Sequence, residues 1–476
     1  MRRDCTLNRT TPVIPQDEIQ RQRDYCNDLR ARNSQLDAPP LAYVDTYGCQ
    51  QNEADSELLR GMLTEMGYEM TDTDRDADLI VINTCAIREH AEQRVLGNVG
   101  ALVHGKRRNP NQIICLCGCM AQEEHIAEKL RVSYRHVDLV FGPQVLWKFP
   151  ELLRRVYLRR GRVFETQRAD GAIAEGLPVR RSGTVKAWVS IMYGCDNFCT
   201  SCIVPYVRGR ERSREPERIL EEIQALVEQG YKDITLLGQN VNSYGKDLGE
   251  GVDFPTLLER AAAIPGEFLL RFMTSHPKDA TPRLFDVMAR CEKVAPVIHL
   301  PFQSGSSRVL RAMNRGYTRE EYLDKVAALR ERLPQVVLTS DVIVGFPGES
   351  TQEFEQTLSL VEQVRFDALF TFLFSPREGT PAAKLPDPMA KEEKAANFNR
   401  LVALQNQISL EKHQAYIGSV QRCLVDGLSQ DPRNNLNART PGGRLVHLQG
   451  DPALVRRFVD VAIEDCSTWA LFGRPL

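Results

Sequence analysis

Cys195, Cys199 and Cys202 stand in the run Gly194-Cys195-Asp196-Asn197-Phe198-Cys199-Thr200-Ser201-Cys202, a C-x3-C-x2-C spacing. Three thiolates on one short loop can hold three irons of a [4Fe–4S] cluster, one iron each. The fourth iron is then left without a protein ligand. It is open to a small molecule that offers an amino and a carboxylate group. In such a pair the cofactors carry the radical chemistry, and the protein supplies position and electrostatics.

A zinc knot would need a second knuckle or a nearby His, and neither follows the triad. Disulfides would need an oxidising compartment. The chain opens Met1-Arg2-Arg3-Asp4-Cys5 and stays polar, without the apolar segment of an export signal. No apolar run is long enough to span a bilayer. A cytoplasmic location and no membrane partner are therefore expected. Thirteen cysteines in such a chain point to metal or redox chemistry. The C-x3-C-x2-C spacing resembles the signature of radical-SAM enzymes. That resemblance implies S-adenosylmethionine (SAM) on the open iron.

At 476 residues the chain is long enough for two to four domains. Its 42% apolar and 26% charged residues fit a soluble globular protein. A net charge of −2 gives no general attraction for nucleic acid, so local basic patches must hold any RNA partner.

Residues 1–40 read as an N-terminal extension, helical or loose, that ends at Ala38-Pro39-Pro40. From Leu41 a βα alternation begins. Strands are expected at Leu41 to Asp45, Leu79 to Asn83 and Gln112 to Leu116, with a helix from Glu53 to Met66 capped by Asn52 and closed by Gly67. Apolar runs without alternation fit parallel strands buried on both faces. Cys49, Cys85 and Cys119 each follow one of these strands. The carboxyl ends of parallel strands share one edge, where ligands sit. Three cysteines distant in sequence are thus expected to converge as a second triad. Cys115 and Cys117 compete with Cys119, since strand alternation can point all three one way. Cys119 is preferred because it follows Gly118 at the strand's exit. Cys5, Cys26, Cys291, Cys423 and Cys466 show no ligand spacing.

Residues 151–184, rich in Gly, Arg and Ala, read as a linker between a first domain at 41–150 and a second at 185–414. Six βα units in the second predict a partial (β/α)6 barrel whose site lies at the strand carboxyl ends. The strands are expected at Ala187–Met192, Asp233–Leu237, Phe268–Phe272, Val297–Leu300, Val336–Val344 and Ala368–Phe374. The cysteine loop follows the first of them. Gly238, Gln239 and Asn240 follow the second, Gln303 and Ser304 the fourth, and Asp341 and Gly345 belong to the fifth and its exit. These loops are expected to cradle the SAM. Arg208, Arg210 and Arg212, in the arginine run after the triad, are candidates for substrate phosphates. His104-Gly105-Lys106-Arg107-Arg108 is a weaker basic patch. After a closing helix at Lys391–Gln414, residues 415–476 read as a small β-barrel with strands at Ser419–Val425, Arg444–Leu448 and Phe458–Glu464. Its Arg422, Arg439, Arg444, Arg456 and Arg457 are further phosphate candidates.

The chain resembles the methylthiotransferase family of radical-SAM enzymes over about residues 41–476. Thr46-Tyr47-Gly48-Cys49-Gln50-Gln51-Asn52, Asn83-Thr84-Cys85-Ala86 and Gly118-Cys119-Met120-Ala121-Gln122 are similar to its three N-terminal cluster motifs. This agrees with Cys119 over Cys115 and Cys117. The run from Gly194 to Arg214 is similar to the family's branch that acts on isopentenylated adenosine. Ser201 stands where the family usually has an aromatic residue near the SAM adenine. The resemblance implies an α/β fold of three parts: an N-terminal cluster domain, a radical-SAM barrel and a C-terminal TRAM domain. It also implies two [4Fe–4S] clusters, SAM, a tRNA substrate and an electron donor such as a flavodoxin or ferredoxin. One SAM would methylate sulfur at the auxiliary cluster. Another would be cleaved to a radical that takes hydrogen from adenine carbon 2, where the methylthio group then joins. Other branches act on threonylcarbamoyladenosine tRNA or on a ribosomal-protein aspartate. An RNA-binding or redox-sensing iron–sulfur protein is the reading from another class.

Overall fold

The computed structural model describes residues 12–86, 89–159, 161–166, 171–431 and 433–476. They form two compact units. The first is the chain up to Ser182 with Met192–Asp196 and Ile203–Arg218, and the second is Gly183–Ile191, Asn197–Cys202 and Ile219–Leu476. No described helix is long and apolar enough to cross a membrane.

The first unit is built on a six-stranded sheet from β1 (Leu41–Tyr47), β2 (Glu69–Met70), β3 (Leu79–Thr84), β4 (Ile113–Gly118), β5 (Leu139–Phe141) and β6 (Val163–Glu165). Its order is β2-β1-β3-β4-β5-β6, with every pairing parallel. The apolar runs are buried on both faces, as parallel strands require. Leu79 and Val81 enter one core with Val44, Leu59 and Phe149, while Ile80 and Ile82 enter the other with Val95, Ile114 and Ile126. The register sets Tyr47 beside Thr84 and Thr84 beside Gly118, so β1, β3 and β4 end level.

Two expectations change here. The first helix is Gln50–Glu65, so Asn52 lies inside it and caps nothing. Its amide instead donates to Asn83 Oδ1 (3.2 Å) and the Thr84 carbonyl (3.1 Å) on β3. Gly67, at φ 82°, does follow the helix end. The stretch 151–184 carries most of helix Phe149–Arg159 and the edge strand β6. Pro150 opens that helix, because the first turn needs no proline donor. In the N-terminal extension, helix Gln16–Asn33 sends Cys26 and Leu29 into the sheet's core. Burial pushes the Cys26 thiol up to about 12, so it stays protonated and structural.

The chain enters the second unit with β7 (Lys186–Ser190). The antiparallel pair β8 (Met192–Tyr193) and β9 (Arg212–Ser213) belongs to the first unit. The second unit continues with β10 (Asp233–Leu237), β11 (Leu269–Phe272), β12 (Val297–His299), β13 (Val337–Val344) and β14 (Ala368–Leu373). These form parallel triplets β11-β10-β7 and β12-β13-β14, and Val294 bridges Leu270 in parallel between β11 and β12. Helices alternate with the strands, which gives the partial (β/α) barrel. Helix Lys391–Gln414 closes it.

The last segment is a closed five-stranded barrel, β15-β16-β17-β19-β18, from β15 (Val420–Leu428), β16 (Leu436–Arg439), β17 (Leu445–Leu448), β18 (Phe458–Cys466) and β19 (Leu471–Pro475). β16 and β19 were not expected from the sequence. Asp367, just before β14, ties this barrel to the larger one. Its carboxylate pairs with Arg444, takes Lys412 Nζ at 3.1 Å and accepts the Leu338 amide at 2.8 Å.

Candidate functional site

The edge where β1, β3 and β4 end carries the first candidate site. Cys49 lies two residues past β1, Cys85 directly past β3 and Cys119 directly past β4. The structure therefore places this triad on one rim, across 70 residues of chain. Cys115 and Cys117, inside β4, face the helix-covered core. Cys119 belongs instead to a small cluster with Ala86, Ile203 and Val207. None of the described cysteines is in a disulfide.

Glycines make this rim possible. A Cβ on Gly48 would come within 2.9 Å of Cys85 Cβ, so the residue before Cys49 can only be this small. Gly118 turns out of β4 at φ 93°, and its Cβ would lie 2.3 Å from the Thr84 carbonyl oxygen. Gly118→Ala is expected to cost at least about 1–2 kcal/mol from the left-handed backbone alone. The readout is faster amide exchange at Cys119, whose N–H donates to Thr84 O at 2.8 Å. Unchanged exchange there would refute the steric reading.

Cys49 and Cys119 differ in proton affinity. A hydrogen bond from Cys85, then Arg208 and backbone donors, brings Cys49 down to about 6 against the opposing effect of burial. Burial pushes Cys119 up to about 11, with Arg208 acting the other way. Among the described residues no three His, Cys, Asp or Glu side chains are grouped as ligands of one metal ion. A cubane sets a different requirement, because each thiolate takes its own iron. Three cysteines outside any disulfide on one rim, with glycines holding the backbone close, fit that requirement.

The second triad falls on the loop where the chain passes between units. Cys195 belongs to the first, where its amide donates to Gly209 O at 3.2 Å. Gly194, at φ 78°, has no room for a Cβ, which would sit 2.0 Å from Arg210 O. Cys199 and Cys202 belong to the second, and the Cys202 amide donates to Cys199 O at 3.0 Å. Cys199 Sγ takes Arg315 Nη1 at 3.3 Å and lies 4.0 Å from His276 Nε2. Burial, then Arg315, pushes His276 down to about 2, so the imidazole is neutral.

The barrel rim fits a polar cofactor. Asn240 Oδ1, both amide atoms of Asn242, Ser275 Oγ and Gln303 Oε1 are buried without a hydrogen-bond partner. All follow the carboxyl ends of β10, β11 and β12. Buried polar atoms without partners are rare, and a cluster of them marks a binding site. Gln303 holds φ 67° and exchanges backbone hydrogen bonds with β13 through Asp341 O and the Ile343 amide. Asp341 Oδ2 lies 3.3 Å from His299 Nε2. Of the other expected cofactor residues, Gly238 is buried beside Asn240, Ser304 Oγ accepts from the Ser306 amide, and the Gly345 amide donates to Glu349.

The arginines need correction. Arg208 is 5% exposed, bound to Cys119 and Asp55, and out of reach of a phosphate. Arg212 is buried and donates to the Arg208 and Arg210 carbonyls. Arg214 is paired with Glu175. Of the run only Arg210 is well exposed, paired with Asp196. Arg444 is buried on Asp367. Arg439 remains part-exposed, 3.0 Å from Asp426, and Arg457 is exposed. A buried arginine needs a carboxylate or carbonyl partner, and the carboxylates of Arg208, Arg214 and Arg444 lie 153, 39 and 77 residues away in sequence. Arg315, His276 and Asp55 gave no sequence signal for the same reason.

Family models match three stretches. Residues 41–142 match Uncharacterized protein family UPF0004, 189–361 the Radical SAM superfamily and 414–476 the TRAM domain. A protein of Acetivibrio thermocellus named tRNA-2-methylthio-N(6)-dimethylallyladenosine synthase is 46% identical over 472 residues, which is 98% of each chain. The chain belongs to this methylthiotransferase family. A second methylthiotransferase of the same name, from Alkaliphilus oremlandii, is 47% identical over 98% of this chain and 99% of its own. One from Clostridium botulinum is 49% identical over 91% and 96%. Among solved structures, the radical S-adenosylmethionine methyltransferase TsrM of Kitasatospora setae is similar in fold. It has a TM-score of 0.53 and 15% identity, over 83% of this chain and 79% of that one.

Proposed function

We infer that this methylthiotransferase adds a methylthio group to carbon 2 of N6-isopentenyladenosine (dimethylallyladenosine) in tRNA. The observation that carries the reading is the convergence of Cys49, Cys85 and Cys119 on one sheet rim, in a chain whose second unit is a radical-SAM barrel. The proposed assignment is two [4Fe–4S] clusters, an auxiliary one on this rim and one on Cys195, Cys199 and Cys202. When bound, clusters and SAM supply the one-electron chemistry that an inert aromatic C–H bond demands.

The chain's own residues position the reactants. Asn240, Asn242, Ser275 and Gln303 offer buried donors and acceptors to the polar edges of SAM. Arg315 orients Cys199 through a charged hydrogen bond from Nη1 to Sγ at 3.3 Å. Arg210, Arg422, Arg439 and Arg457 are the remaining candidates for tRNA phosphates, while Arg456 donates to the Gln229 and Gly230 carbonyls. A small reduced iron–sulfur or flavin protein would deliver electrons in the cytoplasm.

The isopentenyl group needs apolar surface near the barrel mouth. Phe302, just past the end of β12, is fully buried and stacks on Phe366 at 5.3 Å, so it is core. β14 supplies the surface instead. Phe370 is 50% exposed, pairs with Asp341 in the sheet and meets His299 edge-on at 5.7 Å. Phe372 follows on the same face, opposite Ile343. A threonylcarbamoyl group would need polar and cationic partners there.

Matched tRNAs with the adenosine bare, isopentenylated or threonylcarbamoylated give the test, with mass detection of the product. The isopentenylated tRNA is expected to be methylthiolated at least about tenfold faster, since burying its branched chain is worth about 1.5–3 kcal/mol. Preference for the threonylcarbamoylated tRNA would overturn the substrate while leaving the fold and the chemistry standing.

A further inference from the structure

Arg208 is a cation turned away from every solvent anion. Its Nε donates to Cys119 Sγ at 3.1 Å, and its Nη2 meets Asp55 Oδ2 at 2.8 Å. Asp55 is equally buried, and its other oxygen accepts the Gln51 amide at 3.2 Å. The arginine's backbone is fixed as well: its N–H donates to Val204 O at 2.8 Å, and its carbonyl accepts from Arg212. Asp55, then Cys119 and Cys49, hold the guanidinium protonated against the desolvation that would lower it.

The second unit offers a contrast. Arg315 is also buried and donates to Cys199 Sγ, but its other partners are the neutral Tyr317 hydroxyl and Pro301 carbonyl. Among the described residues it has no carboxylate partner. Each triad thus has one sulfur met by a buried guanidinium, neutralised by a counter-ion in the first and bare in the second.

Reducing an iron–sulfur cluster adds negative charge to its thiolates. An N–H···S hydrogen bond and a nearby cation stabilise the reduced form and raise the potential. A carboxylate against that cation cancels much of the effect. We propose that Arg208, with Asp55 as its counter-ion, is a positioning residue that fixes Cys119 and tunes the reduction potential of the auxiliary cluster. The proposal rests on Cys49, Cys85 and Cys119 being that cluster's ligands.

Full-length protein carrying Cys195→Ala, Cys199→Ala and Cys202→Ala isolates the auxiliary cluster. Its midpoint potential is read by redox titration followed by electron paramagnetic resonance. Arg208→Gln removes the cation and leaves the carboxylate, so the midpoint is expected to fall. Asp55→Asn leaves the cation bare, so the midpoint is expected to rise. Arg208→Lys keeps the charge and is expected to shift less than Arg208→Gln. A role confined to holding the fold would move the first two variants in the same sense or not at all, and either result overturns the proposal. If Arg208→Gln binds no iron, Asp55→Asn decides alone: a rise supports the proposal, and a fall or no shift overturns it. A parent triple variant that binds no iron overturns the ligand assignment, and the proposal with it.

Discussion

Replacing Cys49, Cys85 and Cys119 by alanine is expected to abolish methylthiolation of tRNA while reductive cleavage of SAM continues. The argument is topological. These cysteines stand on the rim of the first unit's sheet. The unsatisfied amides and hydroxyl that suit SAM stand at strand ends of the other unit, with Cys199 and Cys202. Removing the first set leaves the second set's donors untouched. The expected result is 5′-deoxyadenosine at near wild-type rate, no methylthio product, and about four of eight irons retained per chain. The complementary Cys195→Ala, Cys199→Ala, Cys202→Ala variant should also keep about half the iron, but form no 5′-deoxyadenosine. Loss of 5′-deoxyadenosine in the first variant, with its remaining cluster intact, would refute this division of labour.

Asp367→Ala carries the largest expected loss of stability. The carboxylate is 5% exposed and holds Arg444, Lys412 and the Leu338 amide at once. Its removal leaves Arg444 buried without a counter-ion, which costs about 3–5 kcal/mol. The expected readout is hydrogen exchange at least about a hundredfold faster through β15–β19, with β10 and β11 little changed. An Asp367→Leu, Arg444→Met double variant should recover most of the protection, because it removes both charges together. Equal exchange in wild type and Asp367→Ala would mean that the pair contributes nothing to holding the barrel. The same pair argues against deleting the barrel as a test of tRNA binding, since deletion strips Asp367 of Arg444 and leaves it only Lys412.

What the sequence made legible follows from where its information is local. β3 announces itself because a parallel strand buried on both faces must be apolar throughout, as Leu79–Ile82 is. That Cys49, Cys85 and Cys119 share one rim was readable because strand polarity alone sends all three there. β5, β6, β16 and β19 were missed because strands of three to five residues carry little period. Arg208 was misread for a different reason. An arginine among four alternating arginines reads as a solvent-facing charge until its partner is known. That partner, Asp55, is 153 residues away on a helix whose own pattern gives no hint of it.

The anchorage at Asp367 has a mechanical consequence. One carboxylate joins the start of β14, the helix Lys391–Gln414 through Lys412, and β17's flank through Arg444. The same unit carries Asn240, Ser275 and Gln303. The small barrel is therefore no tethered hand searching on a loose wrist. It stands as the fixed jaw of a caliper whose other jaw is the strand-end rim of Asn240, Ser275 and Gln303. Under the proposed function, a tRNA seated on the fixed jaw would meet that rim at one set offset, and the choice of nucleotide would become a measurement of length.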